Sequence, residues 1–326
     1  MNDTFFIVGP TAVGKTSLAI GLAEQFDAEI INADAFQIYR GLDILTAKPD
    51  SEAGRQVRHH LLGQVPLAET MSAVRFGELA GAALADIRSR NKNAIIAGGS
   101  GLYLKAITHG FDAVPPPNPR LRQELSQTSL QRLQEKLISL DPETADRIDL
   151  KNRRRLVRAV EICLLTGKPA SKQRTRQRRV ETGSSHLEGG APATPHAAGS
   201  QELAPPKNTT SNCVLLVRDR DDLYHRINER VNAMFREGVE EEVRALRDIG
   251  PTAANALGLK EICALIEGQI SRAECIVKIQ QATRRYAKRQ LTWFRHQTTF
   301  PQLNLTPFSH REAVRVITRM FRRAEE

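Results

Sequence analysis

Gly9-Pro10-Thr11-Ala12-Val13-Gly14-Lys15-Thr16 connects two segments of different character and decides the fold. The run from Thr4 to Val8 before it is apolar and rich in residues that favour β-strands, whereas Thr16 to Ala23 after it has the pattern of a helix. Two glycines with four residues between them, followed by lysine and a hydroxyl residue, form the P-loop pattern that binds phosphate groups. The sequence therefore predicts a strand, a phosphate-binding loop and a helix.

Each residue type in this loop has a chemical reason for its place. Gly9 and Gly14 allow the backbone to curl so that successive N–H groups and the positive end of the following helix face one anion. Lys15 adds a full positive charge, and Thr16 is placed to bind a Mg²⁺ ion that bridges phosphate oxygens. The predicted phosphate-binding residues are Gly9, Pro10, Thr11, Ala12, Val13, Gly14, Lys15 and Thr16. They indicate a di- or triphosphate ligand without identifying it, and by itself the loop fits ATP.

The composition is that of a globular protein. A chain of 326 residues with 40% hydrophobic content can bury a sizeable core, so we expect one large domain with a smaller insert. No apolar stretch is as long as a membrane span, and the first strand begins too early for a signal peptide to precede it. We therefore expect a cytoplasmic, monomeric protein without a membrane partner. The cysteines lack metal-ligand spacing and are predicted to be buried thiols; they are Cys163, Cys213, Cys263 and Cys275.

An alternation of strands and helices continues after the first helix. Ala28 to Ala33 and Ala94 to Gly99 are predicted strands, and Ser72 to Arg90 is an amphipathic helix between them. This order predicts an α/β fold with a parallel sheet that is covered by helices on both faces. Ligands in such folds bind at the carboxyl ends of the strands, where Asp34 and Ser100 follow the two predicted strands. Asp34 is the better candidate for chemistry, and a helix N-cap or a Mg²⁺-linked carboxylate is its alternative role.

The pattern changes to consecutive helices after the proline run at residues 115–119. The predicted helices there are Arg120 to Ser126, Leu130 to Leu140 and Asn152 to Thr166. Residues 183–212 are rich in small and polar residues and cannot offset their ordering entropy, so we predict a disordered linker. Cys213 to Val217 is a further strand that should rejoin the parallel sheet. The predicted domains are a catalytic core of residues 1–114 and 213–326, a helical insert of residues 115–182 and the linker.

The positive charge is concentrated in the insert. The formal net charge is +10, and the segment from Lys151 to Glu181 contains eleven lysines and arginines against two glutamates. A local excess of this size is typical of a polyanion partner, most often a nucleic acid. A solvated basic tail is the alternative interpretation.

The last third of the chain is predicted to be almost entirely helical. The predicted helices are Asp222 to Glu237, Val239 to Asp248, Leu259 to Glu267, Arg272 to Phe294 and His310 to Arg323. In the Arg272 helix we predict an apolar stripe of Ile276, Ile279, Tyr286 and Trp293. Its neighbouring faces are basic, with Arg284, Arg285, Lys288 and Arg289. This helix can pack and still present cations to RNA, or it is a core helix whose basic side chains extend to solvent.

Motifs in both halves of the chain resemble those of the tRNA dimethylallyltransferase family. They are Gly9 to Thr16, Ile31 to Tyr39, Gly41 to Ile44, Thr46 to Pro49, Gly98 to Tyr103, Arg153 to Glu161, Asp219 to Asp221 and Thr283 to Phe294. Their order and spacing agree over almost the whole chain, and only residues 183–212 are longer than the corresponding connection of the family. No zinc-finger spacing follows Trp293, which favours the bacterial form of the family.

The resemblance implies an activity, a fold and a set of residues. The activity is transfer of a dimethylallyl (isopentenyl) group from dimethylallyl diphosphate to the N6 amine of the adenosine immediately 3′ of the anticodon in tRNA. The fold is a P-loop NTPase-like sheet with an inserted helical domain, Mg²⁺ is the cofactor, and the tRNA anticodon stem-loop is the partner. The implied catalytic residues are Lys15, Thr16, Asp34, Ser100 and Arg220. The implied tRNA-binding residues are Asp34, Ala35, Phe36, Gln37, Ser100, Arg122, Arg154, Arg155, Leu156, Val157 and Arg158.

Three other functions share parts of this pattern. A small-molecule or nucleotide kinase has the same loop, but it does not explain Asp34 to Gln37 or the basic insert. An adenylate isopentenyltransferase shares both the loop and the chemistry, but an enzyme that acts on free nucleotides needs no large polyanion surface. A non-catalytic RNA-binding NTPase is the third alternative.

Overall fold

The computed structural model describes residues 3–49, 56–111, 114–173 and 212–322. The chain divides into two compact units, one of Met1–Gly110 with Glu202–Glu326 and the other of Phe111–Gln201. The predicted linker lies outside the described residues except for Asn212, and so do Arg174, Arg176, Arg178 and Arg179 of the basic segment. Within the described ranges, no helix is both long and apolar enough to cross a membrane.

The first unit is built on a parallel sheet of six strands. The strands are β1 (Thr4–Val8), β2 (Ala28–Ala33), β3 (His59–His60), β4 (Asn93–Gly98), β5 (Cys213–Val217) and β6 (Gln302–Asn304). Their spatial order is β3-β2-β4-β1-β5-β6, and every pairing is parallel. The prediction of a parallel sheet is confirmed, and β5 rejoins it beside β1 as expected. β3 and β6 were not predicted because two or three residues are too short to show a strand pattern.

Each of the two units contains several helices. In the first unit they are α1 (Lys15–Gln25), α2 (Asp43–Thr46), α3 (Ala73–Ser89) and α4 (Gly101–Thr108). The second unit contains α5 (Pro119–Gln127), α6 (Leu130–Leu140), α7 (Pro142–Arg147) and α8 (Arg153–Thr166). The first unit then continues with α9 (Arg220–Arg236), α10 (Val239–Ala245), α11 (Leu259–Ile266), α12 (Arg272–Gln297) and α13 (His310–Arg322).

The central strand β1 is apolar throughout because both of its faces are covered. Phe5 and Ile7 lie in one core cluster, and Phe6 and Val8 lie in the other cluster on the opposite face. A strand with only one buried face would alternate between apolar and polar residues instead. The continuous apolar run of the sequence is therefore the consequence of a sheet with helices on both sides.

The carboxyl ends of the strands approach one another closely. A Cβ atom added at Gly98 would lie 2.2 Å from the carbonyl oxygen of Ala33, which is closer than any side chain tolerates. Since β2 and β4 are direct neighbours, the missing side chain of Gly98 lets the loops that follow both strands share one site.

The helical unit has its own small core. Leu133, Leu137, Leu156 and Val160 are fully buried between α6 and α8. Each helix begins at a side chain that accepts a backbone N–H; these caps are Asn118, Ser129, Asp141 and Asn152. The three predicted helices are present, and the short α7 between them was missed.

Helix α12 contradicts one detail of the sequence analysis. Its buried residues are Cys275, Ile279, Thr283, Ala287, Gln290 and Phe294. Ile279 is correctly placed in the predicted apolar stripe, whereas Ile276, Tyr286 and Trp293 are only partly buried. Small and polar residues occupy the buried face because α12 packs closely against α9 and against the loop after β4.

Candidate active site

A cavity of about 690 Å³ lies at the carboxyl ends of the strands in the first unit. Its wall includes residues of the P-loop, the ends of β2 and β4, and one side of α9. The charged and polar residues of this wall include Thr11, Lys15, Thr16, Asp34, Gln37, Arg226, Glu229 and Arg230. The cavity therefore occupies the place that the strand pattern predicts for a ligand.

The P-loop has the curled backbone that its glycines allow. Gly14 has a φ of 105°, and Ala12 also lies in the left-handed region with a φ of 63°. Val13 points away from the cavity into the core, and Lys15 folds back so that its Nζ donates to the carbonyl oxygen of Pro10 at 2.8 Å. The Thr16 side chain is exposed at the cavity wall. The predicted loop is thus present at the cavity.

Lys15 has an unusual acidity for a lysine. Burial lowers the pKa of Lys15 from 10.5 to about 8; the nearby Asp34 carboxylate raises it and the Arg230 guanidinium lowers it further. A phosphate ligand would add negative charge beside this cation and favour its charged form. The electrostatics of the loop are therefore those of an anion site.

Asp34 and Ser100 are brought together by the neighbouring strands β2 and β4. The Asp34 Oδ1 accepts hydrogen bonds from the backbone N–H groups of Phe36 at 3.0 Å and Gln37 at 3.3 Å. These contacts close a turn at residues 35–38, where no helix begins, so they are not the helix N-cap that was the alternative role of Asp34. They fix the carboxylate at the cavity wall. The Ser100 Oγ accepts from the N–H of Ala35 at 3.0 Å, which ties the two loops together.

The three residues after Asp34 are Ala35, Phe36 and Gln37. Their side chains differ in how far they are exposed to a ligand in the cavity. Gln37 is buried, and its Nε2 donates to the carbonyl oxygens of Thr46 and Ala47 at 3.0 Å each. Ala35 and Phe36 are partly buried. Gln37 therefore holds the loop after β2 against the end of α2 and shows only part of its surface to the cavity.

Two functional residues on α12 were missed by the sequence analysis. Gln290 is buried, its Oε1 accepts from the N–H of Thr11 at 2.9 Å, and its Nε2 donates to the carbonyl oxygen of Gly99 at 2.9 Å. Burial and the negative charge of Asp34 raise the pKa of Tyr286, whose hydroxyl also hydrogen-bonds to Ser100 and Gln290. Gln290 thus joins the P-loop to the loop after β4, and Tyr286 remains a neutral phenol beside Asp34.

Three arginines, one just before α9 and two on that helix, contact the P-loop, and the predicted Arg220 is not among them. Arg218 donates to the carbonyl oxygen of Val13 at 2.9 Å, and Arg226 donates to that of Ala12 at 3.0 Å. Arg230 donates to the Thr11 Oγ1 at 3.1 Å and to the Thr46 carbonyl oxygen at 2.6 Å.

The predicted catalytic Arg220 is not brought to the cavity. It is exposed at the start of α9, with its guanidinium 5.2 Å from the ring centre of Tyr224. The helical period explains the difference, because Leu223, Ile227 and Val231 are the buried stripe of α9. Arg226 and Arg230 flank this stripe one turn apart, and this spacing was visible in the sequence.

A second, smaller cavity adjoins the first. It has a volume of about 50 Å³ and shares Thr11, Asp34 and Arg230 with the larger cavity. The rest of its wall is mostly apolar and includes Phe36, Leu45, Val231, Met234, Leu257 and Ile279. Asp34 and the P-loop therefore lie between a polar cavity and an apolar one.

The predicted RNA-binding residues of the helical unit fall into two groups. The Glu161 carboxylate is fully buried, and it accepts hydrogen bonds from Arg122 at 3.0 Å and from Arg158 at 2.6 Å. Burial by itself raises the pKa of Glu161, but the hydrogen bonds from Arg122, Arg158 and the Asn118 N–H outweigh it and hold the pKa below its ordinary value. Arg122 and Arg158 therefore stabilise a buried charge.

The remaining residues of this predicted set differ in exposure. Leu156 is 0% exposed in the core of the helical unit, so the prediction that its side chain binds RNA is wrong. Val157 is partly buried against the same core. Arg154 and Arg155 are exposed on the first turn of α8 and are free to meet a phosphate backbone.

The larger cavity suits a metal ion that arrives with a phosphate ligand. Among the described residues, no group of three or more His, Cys, Asp or Glu side chains could hold a metal ion by itself. Mg²⁺ seldom needs such a cage, because phosphate oxygens and water supply most of its ligands. The Thr16 hydroxyl and the Asp34 and Glu229 carboxylates at the wall fit this mode of binding.

Comparisons with known proteins agree on one family. The family model described as IPP transferase matches residues 37–297. The chain is 39% identical to a tRNA dimethylallyltransferase of Geobacter sulfurreducens over 89% of its length and 88% of that protein. It is 40% identical to a tRNA dimethylallyltransferase of Geobacillus thermodenitrificans over 92% of its length and 90% of that protein. The crystal structure of the full-length tRNA isopentenylpyrophosphate transferase from Bacillus halodurans superimposes with a TM-score of 0.65 at 31% identity, covering 100% of this chain and 98% of that one.

Proposed function

The chain belongs to the IPP transferase family, and on this premise we propose that it transfers a dimethylallyl group from dimethylallyl diphosphate to tRNA. The acceptor is the exocyclic N6 amine of the adenosine immediately 3′ of the anticodon, and the product is N6-isopentenyladenosine. The observation that carries this proposal is the position of Asp34, which lies at the wall of the P-loop cavity and of the adjoining apolar cavity at once. A diphosphate site, a carboxylate and an apolar pocket thus meet at one point.

The P-loop side would bind the diphosphate. As the bond between the allylic carbon and oxygen breaks, negative charge grows on the diphosphate leaving group, and groups that neutralise it lower the barrier. Lys15 and the N–H groups at the start of α1 supply this neutralisation, and Arg226 and Arg230 add positive charge at the same wall. Mg²⁺ held by Thr16 and the diphosphate would assist as a Lewis acid.

Asp34 would activate the nucleophile. The lone pair of an adenine amine is delocalised into the ring, so the amine must lose a proton as it attacks the allylic carbon. A carboxylate that is held by two backbone N–H groups is fixed in direction and accepts this proton. The Ser100 Oγ, beside the same loop, is placed to orient the amine or the diphosphate.

The small apolar cavity would receive the dimethylallyl group. It is the smaller of the two cavities that meet at Asp34, and most of its wall is apolar, as a hydrocarbon group requires. Met234, Leu45 and Ile279 offer only apolar contacts there. Such a wall also excludes water, which would otherwise compete with the amine for the allylic carbon.

The alternative functions explain less of the site. A kinase needs a residue that positions the attacking hydroxyl or water beside the γ-phosphate, and it gives no role to an apolar cavity behind Asp34. An adenylate isopentenyltransferase would use the same cavities, but it leaves the exposed Arg154 and Arg155 without a function. ATP fits the P-loop as a ligand, and we propose that the reaction does not consume it.

The proposal is tested with labelled dimethylallyl diphosphate. Purified protein is mixed with Mg²⁺, labelled dimethylallyl diphosphate and unmodified tRNA, and we expect label on the RNA without added ATP. AMP, ADP and ATP serve as competing acceptors and should take up little label. Label on free nucleotides would select the adenylate isopentenyltransferase, and phosphorylation by labelled ATP without any transfer would select a kinase.

Arg154 and Arg155 are expected to contribute to RNA affinity through phosphate contacts. Changing both to glutamine should reduce the slope of log affinity against log salt by about one unit for each lost phosphate contact. Arg147→Gln is the matched control, since this exposed arginine already pairs with Glu143 at 2.7 Å. Binding isotherms at several salt concentrations measure the slopes, and equal slopes for the double variant and the wild type would place the RNA surface elsewhere.

The oligomeric state and the cellular compartment are part of the same proposal. We propose that the protein acts as a monomer in the cytoplasm. Size-exclusion chromatography with light scattering, in the presence and absence of tRNA, measures the oligomeric state.

A further inference from the structure

Leu102 is a large apolar side chain that lies exposed beside the candidate site. It is the second residue of α4, and 56% of its surface is exposed. The next two residues, Tyr103 and Leu104, turn inward and are buried in the core. Packing of the core therefore does not explain an apolar side chain at position 102.

The start of α4 is held firmly against the Asp34 loop. The Ser100 N–H donates to the carbonyl oxygen of Ala33 at 3.2 Å, and the Ser100 Oγ accepts from the N–H of Ala35 at 3.0 Å. Tyr103 stacks on Phe76 with ring centres 4.0 Å apart, which anchors the first turn of α4 to α3. Leu102 is therefore displayed on a rigid element, two residues after a residue of the site.

Apolar side chains also occur next to Leu102 in the chain and on the neighbouring helix α3. The Trp293 indole rests on the backbone of Gly101, since a Cβ added there would lie 2.2 Å from its ring. Val74, the second residue of α3, is 52% exposed, and α3 packs against α4. The start of α4 thus carries an exposed leucine beside a partly buried tryptophan, two residues after Ser100.

We propose that Leu102 inserts into the anticodon loop and fills the place of the adenosine that leaves the base stack. This inference rests on the proposed function. A stacked adenine cannot bring its amine to Asp34, so the nucleotide must be extruded, and extrusion costs stacking energy. An apolar side chain that enters the stack offsets this cost, because it covers the faces of the two bases that flank the gap.

The structure favours Leu102 over other side chains for this role. An inserting side chain must be apolar, exposed before RNA binds and fixed close to the reacting groups. Leu102 meets all three conditions, whereas Val277 on α12 is 49% exposed but lies about 24 Å along that helix from Trp293. Val277→Ala is therefore a matched control for Leu102→Ala.

The test reports the position of the base directly. An anticodon stem-loop is made with 2-aminopurine in place of the target adenine; this fluorescent base lacks the reacting amine and brightens when it leaves the stack. We expect the wild type and Val277→Ala to raise the fluorescence, Leu102→Ala to reduce the rise about fivefold, and Leu102→Phe to restore most of it. Melting temperatures confirm that each variant is folded.

Transfer rates complete the test. With an adenine stem-loop, Leu102→Ala should lower the single-turnover rate about tenfold, whereas with an unstructured oligonucleotide of the same loop sequence the loss should stay below about twofold. Equal losses on both RNAs, or none on either, would overturn the insertion. A wild type that transfers the label without any fluorescence rise would also overturn it and leave the proposed function intact. A wild type that transfers no label would overturn the proposed function itself.

Discussion

Asp34→Asn is expected to lower the single-turnover rate of dimethylallyl transfer by about 10²–10⁴-fold, with little change in tRNA affinity. The amide has the shape of the carboxylate, and its oxygen still accepts hydrogen bonds from the N–H groups of Phe36 and Gln37. The loop after β2 should therefore keep its conformation. What the variant loses is a group that accepts the proton of the adenine amine.

The measurement is a rapid-quench experiment with saturating enzyme, paired with a tRNA-binding isotherm. Asp27→Asn is the matched control, because Asp27 is an exposed carboxylate at the other end of β2, and asparagine tolerates its φ of 45°. We expect that control to transfer at the wild-type rate. A folded Asp34→Asn protein with a near-normal rate would show that another group accepts the proton.

Lys15→Ala is expected to lower the kcat/KM for dimethylallyl diphosphate by about 10²–10³-fold, because it removes a charge at the leaving group. The charge of Lys15 also predicts a pH dependence. With a pKa of about 8 in the free protein, Lys15 is charged below that pH and neutral above it, so affinity for the diphosphate should fall as the pH rises through 8. Removing the Asp34 charge should move this fall to lower pH, since Asp34 raises the pKa of Lys15.

Lys15→Arg separates the charge from the shape of the side chain. A guanidinium stays charged over the whole range, so binding by this variant should not fall above pH 8, even where its geometry weakens binding overall. Calorimetric titrations with dimethylallyl diphosphate at pH 6 to 10 measure the profiles. Parallel profiles for the arginine variant and the wild type would assign the titration to a group other than Lys15.

The helical unit shows why charge alone did not identify its RNA-binding residues. Arg122, Arg154, Arg155 and Arg158 are equivalent in the sequence, but two of them are held by the buried carboxylate of Glu161. A buried carboxylate must be paired or neutralised, and its partners come from whichever helices enclose it. Thirty-nine residues separate Arg122 from Glu161, so no local pattern indicates that they meet.

The arginines of α9 are an intermediate case. Their spacing along one side of the helix was readable in the sequence, and the buried stripe of Leu223, Ile227 and Val231 is a regular helical pattern. Which side faces the P-loop was not readable, because that depends on how α9 packs after β5 joins the sheet. Only the packing therefore shows that Arg226 and Arg230 line the P-loop cavity.

The sequence by itself determined the parallel sheet, the P-loop and the place of Asp34, because each depends on a local pattern: apolar runs that end at a strand's carboxyl edge, and glycines that a curled loop requires. Only the tertiary structure decided what surrounds Asp34. Gln290 lies 279 residues from Thr11, whose N–H donates to it, and Tyr286 and Arg230 likewise reach the site from distant helices. Contacts of this kind arise when separate elements pack, so they depend on the whole folded unit.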